Sequence, residues 1–407
     1  MTAIIATRTM LRLMWLLLFA AVWLLWWPTL GHSFQFDDWN VIVGDARVQS
    51  VAAWWQSMPG IRPLLKLSYA LNHELGGDVR AFRAVNIALH AVNACLLVLL
   101  LQRVGAACMA QTDAVAPAKT AHRVVFAAAG GAALFAVHPV QTEVATYISG
   151  RSNALATVLA LLALLAWRRY LVAGRRRAVW LGGAVLAFVL ALAVKEFVVV
   201  LPLVAMLLHL IVQRAPLAVA ARAAAPLFAA LVGVSVLALV ATPYLRLIEL
   251  AAAQRGWLSS LYTQANGVSY LIGQLLLVRP PNPDPGMPFV DVLSVPVALR
   301  GALLLALIAA GVSNLRRRPA IAFAILWFFL WLAPTNAVLP RVDAVNDRQL
   351  YIALAGPAWL LGWFVGARWH RPSGTLLAVA LVAALVLLAH GTVRQNRHYA
   401  TEIAFWQ

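Results

Sequence analysis

The chain has 407 residues, of which 63% are hydrophobic and 11% charged, and its mean hydropathy is +0.83. Apolar runs recur along nearly its whole length, which excludes a soluble globular enzyme. The formal charge of +18 comes from short Arg clusters between those runs, the positive-inside signature of a polytopic membrane protein, with no basic-aromatic module that would bind nucleic acid.

In chain order, the first apolar run (10–28) is long enough to cross a bilayer core of roughly 30 Å. It is Trp-rich and lacks a small-residue cleavage site, so it reads as an uncleaved first span. Residues 31–83 form a long loop with Trp39, Trp54 and Trp55 and an amphipathic stretch from Arg62 to Leu75. Further apolar runs lie near 84–102, 124–137, 153–167, 178–194, 197–212, 226–242, 264–278, 297–312, 320–334, 350–366 and 375–390. Cys95 and Cys108 fit neither a disulfide framework nor a metal cluster. The preference for Arg over Lys, with abundant Ala, is compatible with a GC-rich bacterial genome.

Arg clusters orient the runs. Arg8 and Arg12 precede the first, Arg168, Arg169, Arg175, Arg176 and Arg177 separate the fourth from the fifth, and Arg316, Arg317 and Arg318 follow the ninth. Placing all of them in the cytoplasm requires one run that does not cross. The run at 264–278 is the natural exception. It is short, carries Asn266, Ser269 and Gln274, and leads into Arg279-Pro280-Pro281-Asn282-Pro283-Asp284-Pro285, so it reads as a re-entrant or interfacial helix. The expected fold is an all-α polytopic integral membrane protein of about eleven transmembrane helices, with the N-terminus cytoplasmic and the C-terminus outside. Residues 1–393 are expected to form one transmembrane domain and 394–407 a short segment beyond it. Acidic residues, which played no part in this threading, sort with it: only Asp113 falls in a cytoplasmic loop, and every other acid lies outside.

The outer face therefore carries the candidate chemistry. Asp37 and Asp38 could supply a general base or hold a divalent cation, since adjacent like charges raise one pKa; a solvated turn or helix cap is the plainer alternative. His138-Pro139-Val140-Gln141-Thr142-Glu143 closes the third run, followed by Ser149-Gly150-Arg151, and brings an acid and a base to one helix end or merely caps it. Lys195-Glu196 sits between two apolar runs with almost no loop. The turn either pairs with itself or offers a cation to a lipid-linked phosphate. Arg341, Asp343, Asp347 and Arg348 precede Gln349-Leu350-Tyr351, where Arg suits bidentate phosphate recognition. Asn282-Pro283-Asp284 reads as a turn, and Asn86, His90 and Asn93 as polar links between helices.

Phe36-Asp37-Asp38, Arg62-Pro63-Leu64, Asn86-Ile87-Ala88-Leu89-His90, Leu134 through Glu143, Gly150-Arg151, Lys195-Glu196 and Asp347-Arg348-Gln349-Leu350-Tyr351 resemble the membrane part of the transmembrane and TPR-repeat-containing O-mannosyltransferases and their bacterial relatives. More broadly the chain resembles the GT-C glycosyltransferases. The resemblance implies inverting transfer of a sugar from a polyprenyl-phosphate donor to a hydroxyl-bearing acceptor, on the periplasmic face of a bacterial inner membrane. It implies Asp37 as the base with Asp38 assisting, Arg348, Lys195 and Arg151 at the donor phosphate, and His138, Glu143, Glu196, Arg62 and Asp347 around them. Membrane lipids are the expected surroundings. No cofactor is required, and no ligand set demands the divalent cation that the acid pair could hold. TPR repeats would begin in relatives where 394–407 lies. The competing readings are a transporter or flippase of lipid-linked sugars, against which the absence of paired halves argues, and a non-catalytic membrane scaffold.

Overall fold

The computed structural model describes residues 2–110, 117–254, 256–282, 284–338, 343–369 and 371–406; Asp113, Pro283 and Arg341 lie outside the described residues. Every regular element among those described is helical. After α1 (Thr2–Trp26), the first loop is folded. Ser50 caps α2 (Val51–Gln56) by accepting from Ala53 N–H at 3.0 Å, and Pro63 opens α3 (Pro63–Glu74), where a missing N–H removes no helical bond. Asp78 caps α4 (Val79–Met109) through Ala81 N–H. α5 (Pro117–Val137) stops at His138-Pro139, because proline lacks an N–H and drives its predecessor into extended backbone. The chain there bends by 58° into a short turn and α6 (Thr142–Ala145). α7 (Arg151–Val172), α8 (Arg177–Leu192), α9 (Leu201–Val212), α10 (Leu217–Ala241) and α11 (Tyr244–Gln254) follow. Then come α12 (Trp257–Leu275), α13 (Val295–Ser313), α14 (Pro319–Ala333), α15 (Leu350–Ala353), α16 (Ala355–Ala367), α17 (Pro372–His398) and α18 (Glu402–Trp406).

The protein is a multi-pass, all-α membrane protein. Among the described residues, seven helices are long and apolar enough to cross a bilayer, or nine when the bent pairs at α5–α6 and α15–α16 each count as one span. Two further runs of the eleven expected, 178–194 and 197–212, form shorter apolar helices, Arg177–Leu192 and Glu196–Val212. α12, the run read as non-crossing, is not among the candidate spans.

Small residues set the central contact. Gly131 of α5 lies against the Trp359 backbone of α16, and a Cβ on Gly362 would run into the Ala127 carbonyl, so these two helices approach as closely as their backbones allow. Arg123 of α5 then binds the free carbonyls at the end of α16, at 3.0 Å to Gly366 O and 2.7 Å to Ala367 O. Trp327, Trp359 and Phe323 fill the space beside them. The polar residues of α4 face inward. Asn86 donates to Val144 O, Tyr147 O and Ile148 O; His90 bonds the Tyr351 hydroxyl and Ala136 O; Asn93 donates to Ala154 O.

Gly362→Leu is expected to destabilise the protein by about 1–3 kcal/mol through overpacking against α5. Leu361→Ala, on an exposed face, is expected to leave the unfolding temperature of the detergent-solubilised protein nearly unchanged; equal effects would refute the close contact.

Candidate active site

The stretch 30–40 is tied down by one buried cation. Arg83, wholly buried near the start of α4, donates from Nη1 to Leu30 O (3.2 Å) and His32 O (2.6 Å), from Nη2 to Ser33 O (3.0 Å) and from Nε to Thr146 O (2.9 Å). The loop so anchored sends the two adjacent acids in different directions. Asp38 is fully buried. Its Oδ1 accepts from Ser149 N (2.8 Å) and Ser149 Oγ (2.5 Å), and its Oδ2 from Gln35 N at 3.2 Å. Burial pushes its carboxyl up to about 6 against the pull of those hydrogen bonds. Asp37 is 40% exposed and looks into a cleft, with its backbone N–H donating to the Tyr147 hydroxyl at 3.0 Å.

Arg348 meets Asp37 from the far side. Its Nη1 lies 4.0 Å from Asp37 Oδ2 and its Nε 3.5 Å from the buried Glu143 Oε1, and the guanidinium sits over the Tyr147 ring. Glu143 also accepts from the Arg348 backbone N–H at 2.6 Å, and Asn153 Nδ2 donates to Arg348 O. The buried acid thus fixes the cation that the exposed acid faces. Asp347 points away from the cleft, accepting from Asn282 N at 2.9 Å.

Lys195 and Glu196 do not pair with each other. Lys195 Nζ donates to Ser152 Oγ (2.9 Å) and Asn153 Oδ1. Glu196 takes a bidentate pair from Arg62, at 2.9 and 2.8 Å, and a bond from the Tyr244 hydroxyl at 2.6 Å. Arg62 holds a left-handed backbone (φ 53°) immediately before Pro63, and Phe36, beside Asp37, does likewise (φ 42°). Non-glycine residues in that region are strained and persist only where their surroundings hold them.

The cleft, of about 460 Å³, is lined by Asp37, Arg62, Lys66, Tyr69, Lys195 and Arg348 among others, so cations outnumber acids on its walls. Through Arg62 and Lys195 it adjoins a second groove of about 440 Å³ whose walls are mostly apolar, among them Leu192, Val234, Leu239 and Ile248. Charged groups at the mouth of an apolar groove suit an amphipathic ligand with an anionic head.

Three expectations need correction. Arg151 does not reach the cleft. It is completely buried, stacks on the Tyr69 and Phe82 rings, and spends its donors on Asn86 Oδ1, Ser68 O and Phe82 O, which makes it a brace between helices. Asp37 and Asp38 do not turn to one shared site, because Asp38 is buried and its oxygens already accept three hydrogen bonds, two from Ser149 and one from Gln35 N. No group of three or more His, Cys, Asp or Glu with metal-binding geometry occurs among the described residues. His138 stands outside the cleft: Nδ1 accepts from Val140 N and Nε2 approaches Leu275 O, and it borders a separate apolar cavity. Arg83 and Tyr147 were not anticipated from the sequence, and Ser149 was noted there only beside Gly150-Arg151. Arg83 did carry a signal, being a cation close to an apolar run with no acidic neighbour in sequence.

Asp38→Ala is expected to lower stability on the order of 2 kcal/mol by orphaning buried donors. Asp37→Ala is expected to change it by less than about 0.5 kcal/mol. Thermal unfolding of the two variants in detergent checks the division; the reverse ranking would contradict it.

No protein-family model matches the chain, and no solved structure does. It is 31% identical over 160 residues to the protein O-mannosyl-transferase Tmtc2 of Drosophila melanogaster, 30% over 190 residues to Tmtc1 of the same species, and 39% over 115 residues to TMTC1 of Mus musculus. These stretches cover 35%, 43% and 27% of this chain, and 15%, 20% and 10% of the relatives, so the match spans a fifth or less of each relative's length. Over part of its length, the chain is similar to the protein O-mannosyl-transferases of the transmembrane and TPR-repeat group.

Proposed function

We propose that this chain is a GT-C-type glycosyltransferase that moves a sugar, mannose by likeness to its relatives, from a polyprenyl phosphate to a hydroxyl acceptor with inversion. The outer, periplasmic face of a bacterial inner membrane is the proposed site of reaction, and a protein Ser/Thr or an envelope glycan or lipid the proposed acceptor. One observation carries the reading: an exposed acid, Asp37, faces Arg348 in a cation-rich cleft that adjoins an apolar groove at Arg62 and Lys195.

The chemistry follows from that juxtaposition. The acceptor hydroxyl enters the cleft and gives its proton to Asp37 as its oxygen attacks the anomeric carbon. The bond from that carbon to the phosphate oxygen breaks, and the sugar inverts. Polyprenyl phosphate leaves with one more negative charge, which Arg348 and Lys195, already positioned, offset. Arrival of the donor phosphate draws Arg348 from Asp37 and frees the carboxylate to act as base. Asp38 acts in this scheme by shaping the loop, and Glu143 by holding Arg348. The apolar groove beside Lys195 takes the first isoprenoid units. A larger cavity of about 600 Å³, walled by Leu134, Leu275, Phe328 and Leu361, offers no cation for a phosphate and is the poorer fit.

Asp37→Asn is expected to lower turnover of a polyprenyl-phosphate sugar at least about a hundredfold with donor affinity kept. Retained turnover would remove Asp37 as the base. Arg348→Ala is expected to weaken donor binding about tenfold or more, read by titration with the intact donor. Unchanged affinity would take Arg348 away from the phosphate.

A further inference from the structure

The segment after α17 folds back onto the loop that carries Asp37. Ala400 O accepts from Ser33 N at 3.4 Å, Tyr399 O accepts from the buried Gln35 side chain at 2.8 Å, and Glu402 Oε2 accepts from Trp39 Nε1 at 3.2 Å. The Phe405 ring stacks on Phe36, with centroids 6.2 Å apart and planes 22° from parallel. Phe36 is the residue held in the left-handed region directly before Asp37. Such a backbone relaxes unless neighbouring structure fixes it, and here the stacked ring and the flanking hydrogen bonds on either side do so. Phe405 and Tyr399 also form a small buried cluster with Tyr147. Tyr147 accepts from the Asp37 N–H through its hydroxyl and lies beneath the Arg348 guanidinium with its ring.

We propose that residues 399–406 are a strap that positions Asp37 against Arg348, acting through Phe36 on one side and Tyr147 on the other. Phe405 and Tyr147 are therefore positioning residues. The strap's contacts reach the backbone around Asp37 and the ring under Arg348, its hydrogen bonds going to Ser33, Gln35 and Trp39. Its role is to set the separation between acid and cation, so that movement of the chain at 399–406 changes turnover before it changes donor binding. This rests on Asp37 being the proton acceptor proposed above.

The test compares the full chain with its Phe405→Ala, Phe405→Leu and Tyr147→Phe variants, by hydrogen exchange of the 33–40 segment and by steady-state kinetics. Phe405→Ala is expected to speed exchange in 33–40 about tenfold, with exchange in α5 and α16 unchanged. Its kcat is expected to fall by a similar factor at constant donor KM, and Phe405→Leu to recover most of both losses. Tyr147→Phe keeps the ring contacts but removes the acceptor for Asp37 N–H, so it is expected to lower kcat at constant KM. Unchanged exchange in Phe405→Ala, or losses that appear in KM alone, would overturn the proposal. A parent chain that consumes no donor would sink the sugar-transfer reading instead, and the exchange comparison would still decide whether the strap holds the loop.

Discussion

Arg83 is the constraint on which the cleft end of the molecule depends. A buried guanidinium has five donors and no acceptor, and leaving them unmet inside the protein is expensive. Here they reach four backbone carbonyls, three from the stretch 30–33 and one from Thr146. One side chain of α4 thereby dictates where the first loop and the turn after α6 run. Arg151 repeats the device one step away, joining α7 to the backbone at Ser68 and Phe82 and to Asn86. With the loop and the turn fixed side by side, Ser149 meets Asp38 and Tyr147 meets Asp37. The placement of the exposed acid is thus a consequence of two buried cations that never touch the cleft.

The electrostatics have a matching logic. Three ions beside the cleft have partners of their own: Glu143 in Arg348, Glu196 in Arg62, and Lys195 in Ser152 and Asn153. Toward the cleft the balance tips to cations, with Asp37 the acid turned toward Arg348. Low-dielectric walls make such an arrangement effective toward an anion, and the neighbouring apolar groove suits one that carries a hydrocarbon chain. Phe36 and Arg62, two of the four non-glycine residues with positive φ among the described residues, flank this region, and each is held by a specific partner, Phe405 or Glu196. Strain concentrated at a cleft and fixed by neighbours is the expected form of a preorganised site.

Much of this was legible in the sequence, and the reasons for the rest are physical. Hydropathy runs located the helices, because burial in lipid leaves few alternatives to an apolar helix. The inward role of Asn86, His90 and Asn93 followed from their spacing on α4. Run length alone did not show that α5 and α15 bend, nor that the runs at 178–194 and 197–212 form shorter apolar helices. The pair Asp37-Asp38 could not be divided from sequence, since adjacent residues in a tight turn point to opposite sides and only the anchoring of the loop decides which side is cleft. Arg151 was misplaced for the converse reason. A cation beside Gly150 at a helix start looks available for an anion, and nothing local reveals that Asn86 and two carbonyls from other elements have already claimed it. Gln35 meets Tyr399, Asp37 meets Tyr147 and Tyr147 meets Phe405 across more than a hundred residues each, and no short motif encodes those contacts.

The account stands on transfer of a sugar out of a lipid phosphate. Its most direct measurement is release of polyprenyl phosphate when the purified, folded chain is incubated with polyprenyl-phosphate mannose and a hydroxyl acceptor. The account predicts release that depends on the acceptor and yields a glycoside of inverted anomeric configuration. An intact donor after prolonged incubation across a panel of polyprenyl-phosphate sugars, or a product of retained configuration, would contradict it.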